Sequence, residues 1–167
     1  MFWSQTRKNH GLEHATISLL LQSGFQGSYV AGYSIPSGFF ILGNLPTANV
    51  ANSASEALKR LNNGESSLAI SPFCGTNIVV TAALTTLITI IAYHANSKLA
   101  GKLTQSLIGA IWATVLAKPL GRFIQQRYTT SADLAEIQIG KIVMSRIGNV
   151  TIHWVPTYLQ KPKHNPK

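Results

Sequence analysis

Apolar and polar positions follow two periods along this chain, and the changes of period divide it into elements. From Asn9 to Gly24 the pattern is helical. Asn9 is placed to cap free N–H groups, Ala15, Ile17, Leu19, Leu20 and Leu21 surround the second half, and Gly24 suits a left-handed end. Ser28 to Ile35 and Gly38 to Leu42 read as strands separated by Pro36 and Ser37, which predicts a hairpin or a loop packed on a sheet. Thr47 opens a second helix to about Leu61, with Val50, Ala54, Leu58 and Leu61 at helical spacing and Asn62-Asn63-Gly64 as its stop. A short strand, Ser67 to Ile70, is expected next.

Two uninterrupted apolar runs follow. Ile78 to His94 carries no formal charge over 17 residues, and Leu103 to Ala117 repeats the pattern over 15 before Lys118, Pro119 and Gly121 stop it. The runs predict a helical hairpin rich in Thr, Ala and Gly, small residues that allow close packing where lipid offers no hydrophobic drive. Their lengths sit at the lower edge of what spans a bilayer, so a buried soluble hairpin is the alternative. A chain of this size has little other protein with which to cover two such helices, which favours the membrane. Lys98 and Lys102 in the turn compete with Lys118, Arg122 and Arg127 beyond the second run, and both termini are expected on the cytoplasmic or stromal side. Farther on, Ala135 to Ser145 has strand-like alternation, Val150, Ile152 and Trp154 alternate with Thr151 and His153, and Gly148-Asn149 is a hairpin turn signal.

Composition strengthens the membrane reading. Of 167 residues 46% are hydrophobic and only 11% charged, against about 25% charged in ordinary soluble proteins. The 14 Lys and Arg against 5 Asp and Glu give a net charge of +9, which favours anionic lipid or an acidic partner surface. Nucleic acid is not expected as a partner, because the basic residues are scattered at element ends and in the tail, with no basic helix or aromatic-studded sheet. The single cysteine, Cys74, excludes an internal disulfide and a zinc site of several thiolates, and fits a reducing compartment. Arg7, Lys8, His10, Glu13 and His14 rule out a secretory h-region at the start, so the mature chain is expected to begin near Met1.

The segment His10-Gly-Leu-Glu-His14 carries the candidate chemistry. On a helix His10 and His14 lie roughly 40° apart and Glu13 flanks them. Two imidazoles one turn apart can hold one metal ion, with Glu13 placed to take a proton from a water the metal has acidified. The bland account is a hydrogen-bonded polar network with Glu13 buried against Arg7 or Arg127. A third ligand is sought in Cys74, where Gly75 permits an unusual backbone and a thiolate binds zinc well, and then in Glu56 on the second helix. Cys74 otherwise reads as a small buried hydrophobe, and Thr76 and Asn77 as helix-capping residues. His94 lies at the far end of the first apolar run, and His153 and His164 read as solvated.

The order His-x-x-Glu-His resembles the inverted zinc motif of the inverzincin metallopeptidases. That resemblance covers the motif alone, since inverzincins are long soluble chains with a distant Glu as third ligand. It implies a zinc-dependent peptidase with His10 and His14 as ligands and Glu13 as general base. A broader resemblance rests on Asn9-His-Gly-Leu-Glu-His-Ala-Thr16, Gly43-Asn-Leu-Pro-Thr47 and Ser71-Pro-Phe-Cys-Gly-Thr-Asn77 ahead of two apolar runs. Together these are similar to an uncharacterised family of small membrane proteins common in cyanobacteria. It implies a thylakoid or plasma membrane setting and names no reaction.

The sequence therefore predicts an α+β protein: a small sheet with two helices plus a two-helix transmembrane hairpin. Residues 1–76 form an N-terminal α/β region, 77–120 the hairpin, 121–160 a C-terminal β-hairpin completing the first region, and 161–167 a disordered basic tail. The expected function is a membrane-embedded zinc-dependent hydrolase, a peptidase as the inverzincin resemblance implies, with the lipid bilayer and either a membrane protein complex or a membrane-protein substrate as partners. The alternative is a non-catalytic protein that holds a metal or tetrapyrrole and assembles or stabilises a photosynthetic or respiratory membrane complex. A lipid-surface module driven by charge alone would explain neither the motif nor the apolar runs.

Overall fold

A computed structural model describes residues 2–25, 29–95 and 97–159. The basic tail, with His164, lies outside them, as do Ser28 and Asn96 at the edges of two expected elements. The fold is α+β: four α-helices and a five-stranded antiparallel sheet among the described residues, two of the helices being candidate membrane spans. The chain divides into two compact units, Met1–Ile70 with Thr129–Lys167, and Ser71–Tyr128.

In the first unit α1 (Phe2–Leu20) begins seven residues before its expected cap and gives way over Leu21–Phe25 to a kink with non-helical backbone at Ser23 and Gly24, where Gly24 takes the expected left-handed conformation at φ +108°. Asn9 is a mid-helix residue and not a cap, because its amide is engaged elsewhere: Nδ2 donates to the carbonyls of Ile35 (2.7 Å) and Pro36 (3.1 Å), and Oδ1 accepts from Thr157 (2.7 Å). With those partners a fully buried Asn costs little in a helix interior. Strands β1 (Ala31–Ile35) and β2 (Gly38–Leu42) form the expected hairpin about Pro36 and Ser37. Helix α2 (Thr47–Asn62) follows Pro46 and buries Val50, Ala54, Ala57 and Leu61.

The strand expected at Ser67 to Ile70 is instead a turn of 3₁₀ helix, Ser66–Ala69. A strand needs a ladder partner, and here the Ala69 carbonyl is taken by the ring of His14. After the second unit the chain returns as β3 (Ile137–Ile139), β4 (Val143–Ile147) and β5 (Val150–Leu159). The ten-residue β5 organises the sheet: β2 pairs along one edge, β4 and β3 along successive halves of the other. Gly148 at φ +60° makes the predicted turn between β4 and β5.

The facing of β5 is the reverse of what its alternation suggests. Thr151, His153, Val155 and Thr157 are buried, whereas Ile152 and Trp154 lie on the partly open face. Helix α1 covers the inner face, with α2 packed on the far side of α1, around Leu12, Leu20, Phe39, Ile41, Val50, Leu134 and Val155.

In the second unit α3 (Gly75–His94) and α4 (Leu99–Ile124) pack as an antiparallel pair. Both are long and apolar enough to cross a membrane, since 20 residues of helix span about 30 Å. They meet closely at Gly109, where a Cβ would lie 3.1 Å from the Ile88 side chain. Their outer surface is apolar, with Ile78, Leu87, Ile91, Leu107, Ile111 and Trp112 exposed.

Helix α4 runs through Lys118, Pro119 and Gly121 instead of stopping there. Proline removes one helical hydrogen bond, but the following turns are anchored. Gln125 Nε2 donates to Asn77 Oδ1 (2.8 Å) and the Ser71 carbonyl (3.0 Å), while Gln125 Oε1 accepts from the Ser71 N–H (3.0 Å). Gly121 leaves the space that Asn77 occupies, for its Cβ would meet Asn77 Oδ1 at 2.2 Å.

Candidate metal centre

His10 and His14 stand one turn apart on α1 with ring centroids 4.3 Å apart and planes tilted by 58°. A ring nitrogen of each lies within 4.8 Å of the other. His10 Nδ1 bonds the Thr129 carbonyl at 2.9 Å, and His14 Nδ1 bonds the Ala69 carbonyl at 2.8 Å. A carbonyl oxygen only accepts, so in both rings the proton sits on Nδ1 and the basic lone pair of the neutral ring on Nε2. This is the arrangement in which metal-binding histidines are held: one nitrogen donates to a fixed carbonyl, which sets the tautomer and the ring orientation.

The backbone that supplies these carbonyls approaches α1 at Gly11, between the two histidines. A Cβ there would sit 2.3 Å from the Ser131 carbonyl oxygen and 3.2 Å from the Ala69 Cβ. The Ser131 N–H donates to the Arg7 carbonyl at 3.0 Å, and the Arg7 guanidinium donates to the Thr130 carbonyl at 2.9 Å. The glycine in the motif thus serves the site by letting both acceptor segments come close.

Glu13 is buried, and its carboxylate accepts a hydrogen bond from the Ser34 hydroxyl of β1. Its side chain lies over Gly32, where a Cβ would meet Glu13 Oε1 at 2.4 Å. Cys74 caps α3, its Sγ accepting from the Thr76 N–H at 3.4 Å. The capping expected of Thr76 and Asn77 thus falls to Cys74, while Asn77 Nδ2 secures the carbonyls of Ser71 and Pro72, each at 3.0 Å. Cys74 is buried and follows Ala69, the acceptor of His14, by five positions. Glu56 is exposed on α2, where it helps to raise the pKa of Arg60, whose main partner is Glu65; it is not brought to the histidines. His94 is exposed at the end of α3.

His153, expected in solvent, is fully buried in the sheet, and neither ring nitrogen has a well-formed hydrogen bond among the described residues. Burial lowers its pKa, partly offset by the backbone of Ile41 opposite it. The residues that sequence reasoning missed are supports: Asn9, Ser34, and the carbonyls of Ala69 and Thr129. Only Asn9 carried a signal, as a polar residue at the start of the motif.

The domain-of-unknown-function family DUF6391 matches residues 5–142, and the chain belongs to that family. An uncharacterized protein of Picosynechococcus sp. (strain ATCC 27264 / PCC 7002 / PR-6) is similar, 35% identical over 140 residues that cover 77% of this chain and 67% of the relative. No solved structure matches.

Proposed function

We propose that this chain is a membrane-anchored metal-binding protein, in which His10 and His14 hold one divalent ion such as zinc through Nε2. The observation that carries the reading is the pair of Nδ1–H···O=C bonds to Thr129 and Ala69, which presents two imidazole lone pairs from one helix turn. Helices α3 and α4 are the proposed anchor, and their exposed apolar surface supports it. The family's cyanobacterial relative fits a thylakoid or plasma membrane, and the proposed role is assembly or stabilisation of a photosynthetic or respiratory complex there.

A second reading makes the same metal hydrolytic, as in a minimal inverzincin peptidase, with Glu13 as general base. Its support is the burial and fixed seating of Glu13. Ranked against it is the Ser34 hydrogen bond, which already engages the carboxylate from β1. Complementation of a host lacking the gene separates the two. Rescue by Glu13→Gln but not by His10→Ala/His14→Ala identifies a non-catalytic metal, and loss with Glu13→Gln at normal metal content identifies the hydrolase. Rescue by all three forms at equal protein level rejects both.

A further inference from the structure

The outer face of the sheet is apolar where a sheet facing water is polar. The registers set Tyr33, Phe40, Trp154 and Val143 in one row across four strands, with Leu42 and Ile152 beside them. Tyr33 is 66% exposed, Val143 52%, and Ile147 and Val150 at the hairpin end 68% and 45%. Phe40 and Trp154 rings stack at 4.6 Å. The inversion is costly in water, because the same strands turn Thr151, His153 and Thr157 inward.

Charge selects the occupant. The chain's five acidic residues are Glu13, Glu56, Glu65, Asp133 and Glu136, none of them on a strand. Glu56 belongs to α2, the layer farthest from this face, and Glu13 is buried beneath the sheet. Lys141, exposed two positions before Val143, adjoins the face on the β4 side, whereas Arg146 pairs with the inward Thr151 and belongs to the opposite face. Tyr and Trp beside Lys, without carboxylates, is a composition that sits in the headgroup layer of a bilayer. We propose that this face, centred on Tyr33, Phe40 and Trp154, docks on an anionic membrane surface. The proposal rests on the membrane-spanning reading of α3 and α4, to which the chain joins the sheet's unit at Ile70–Ser71 and Tyr128–Thr129.

The three tryptophans, Trp3, Trp112 and Trp154, allow a test on the full chain. Trp3→Phe/Trp112→Phe leaves Trp154 as reporter, and Trp3→Phe/Trp154→Phe leaves Trp112 on the apolar surface of α4. Each variant is reconstituted into phosphatidylcholine–phosphatidylglycerol vesicles containing lipids brominated near the headgroup end or deeper in the acyl chain. The deep bromines should quench Trp112 and the shallow ones Trp154, with roughly a twofold loss of Trp154 emission. Quenched Trp112 with Trp154 open to aqueous acrylamide overturns the docking face and leaves the spans intact. Trp154 shielded from both quenchers overturns it in favour of a protein partner or a second copy. An unquenched Trp112 overturns the spanning reading and the proposal with it. Removing phosphatidylglycerol should weaken the quenching of Trp154 alone; equal quenching overturns the choice of an anionic surface.

Discussion

Asn9 Oδ1 accepts a 2.7 Å hydrogen bond from the Thr157 hydroxyl across 148 positions of chain, both residues buried. The bond joins the first helix to the last strand, which come before and after the α3–α4 segment in the chain. Because Asn9 also holds the carbonyls of Ile35 and Pro36, one amide links α1, the β1–β2 turn and β5.

Removing that amide should be costly. Asn9→Leu leaves two partly buried carbonyls and a buried hydroxyl without their partner, and is expected to lower stability by about 2–4 kcal/mol. Thr157→Val strands only Asn9 Oδ1 and should cost about 1–2 kcal/mol. Denaturant unfolding of the two single variants and the double variant checks this, and the double should cost less than the sum.

His153 makes stability fall on acidification. Its pKa is lowered in the fold from the ordinary 6.5, so between the two values the unfolded chain binds more protons. The contribution is complete above about 6.5 and is lost as pH falls through the folded value. Melting temperatures from pH 8 to pH 5 should decline, and His153→Leu should flatten that decline. An unchanged slope in the variant would place the dependence on other groups.

The two close-approach glycines should differ in what they disturb. Gly11→Ala collides with the Ser131 carbonyl oxygen, which is backbone and cannot swing aside, so it should displace the segment holding His10 and weaken metal binding. Gly32→Ala collides with the Glu13 side chain, and should lower stability by about 1–3 kcal/mol while sparing the metal. Metal titration and melting of both variants separate these outcomes.

The membrane reading has a direct biochemical consequence. Alkaline carbonate extraction should leave the full chain in the membrane fraction, and replacing Leu87 and Ile111 with lysine should release part of it. Complete release of the unaltered chain would remove the anchor.

Much of the fold was legible because it depends on local patterning. The β1–β2 hairpin, α2, the Gly148 turn and both apolar helices follow from spacing and turn residues. The failures are tertiary. Asn9 reads as a cap because nothing local reveals Ile35, Pro36 and Thr157 as its partners. Ser67 to Ile70 reads as a strand because the sequence does not show that the Ala69 carbonyl goes to His14. Pro119 reads as a stop because the anchoring of Gln125 by Ser71 and Asn77 is remote. In β5 the alternation was visible but not its sense, since a sheet with an apolar open face inverts the usual assignment. The histidine pair was legible from spacing alone. Its orientation was not, because both Nδ1 acceptors are backbone carbonyls from distant segments.

The central claim is that His10 and His14 are metal ligands, and metal content of the purified protein tests it most directly. The unaltered chain should carry about one zinc-like ion per molecule, and His10→Ala/His14→Ala should carry none at unchanged folding. Glu13→Gln should keep its ion. Full metal content in the double histidine variant, or none in the unaltered chain after metal is supplied, would contradict the account.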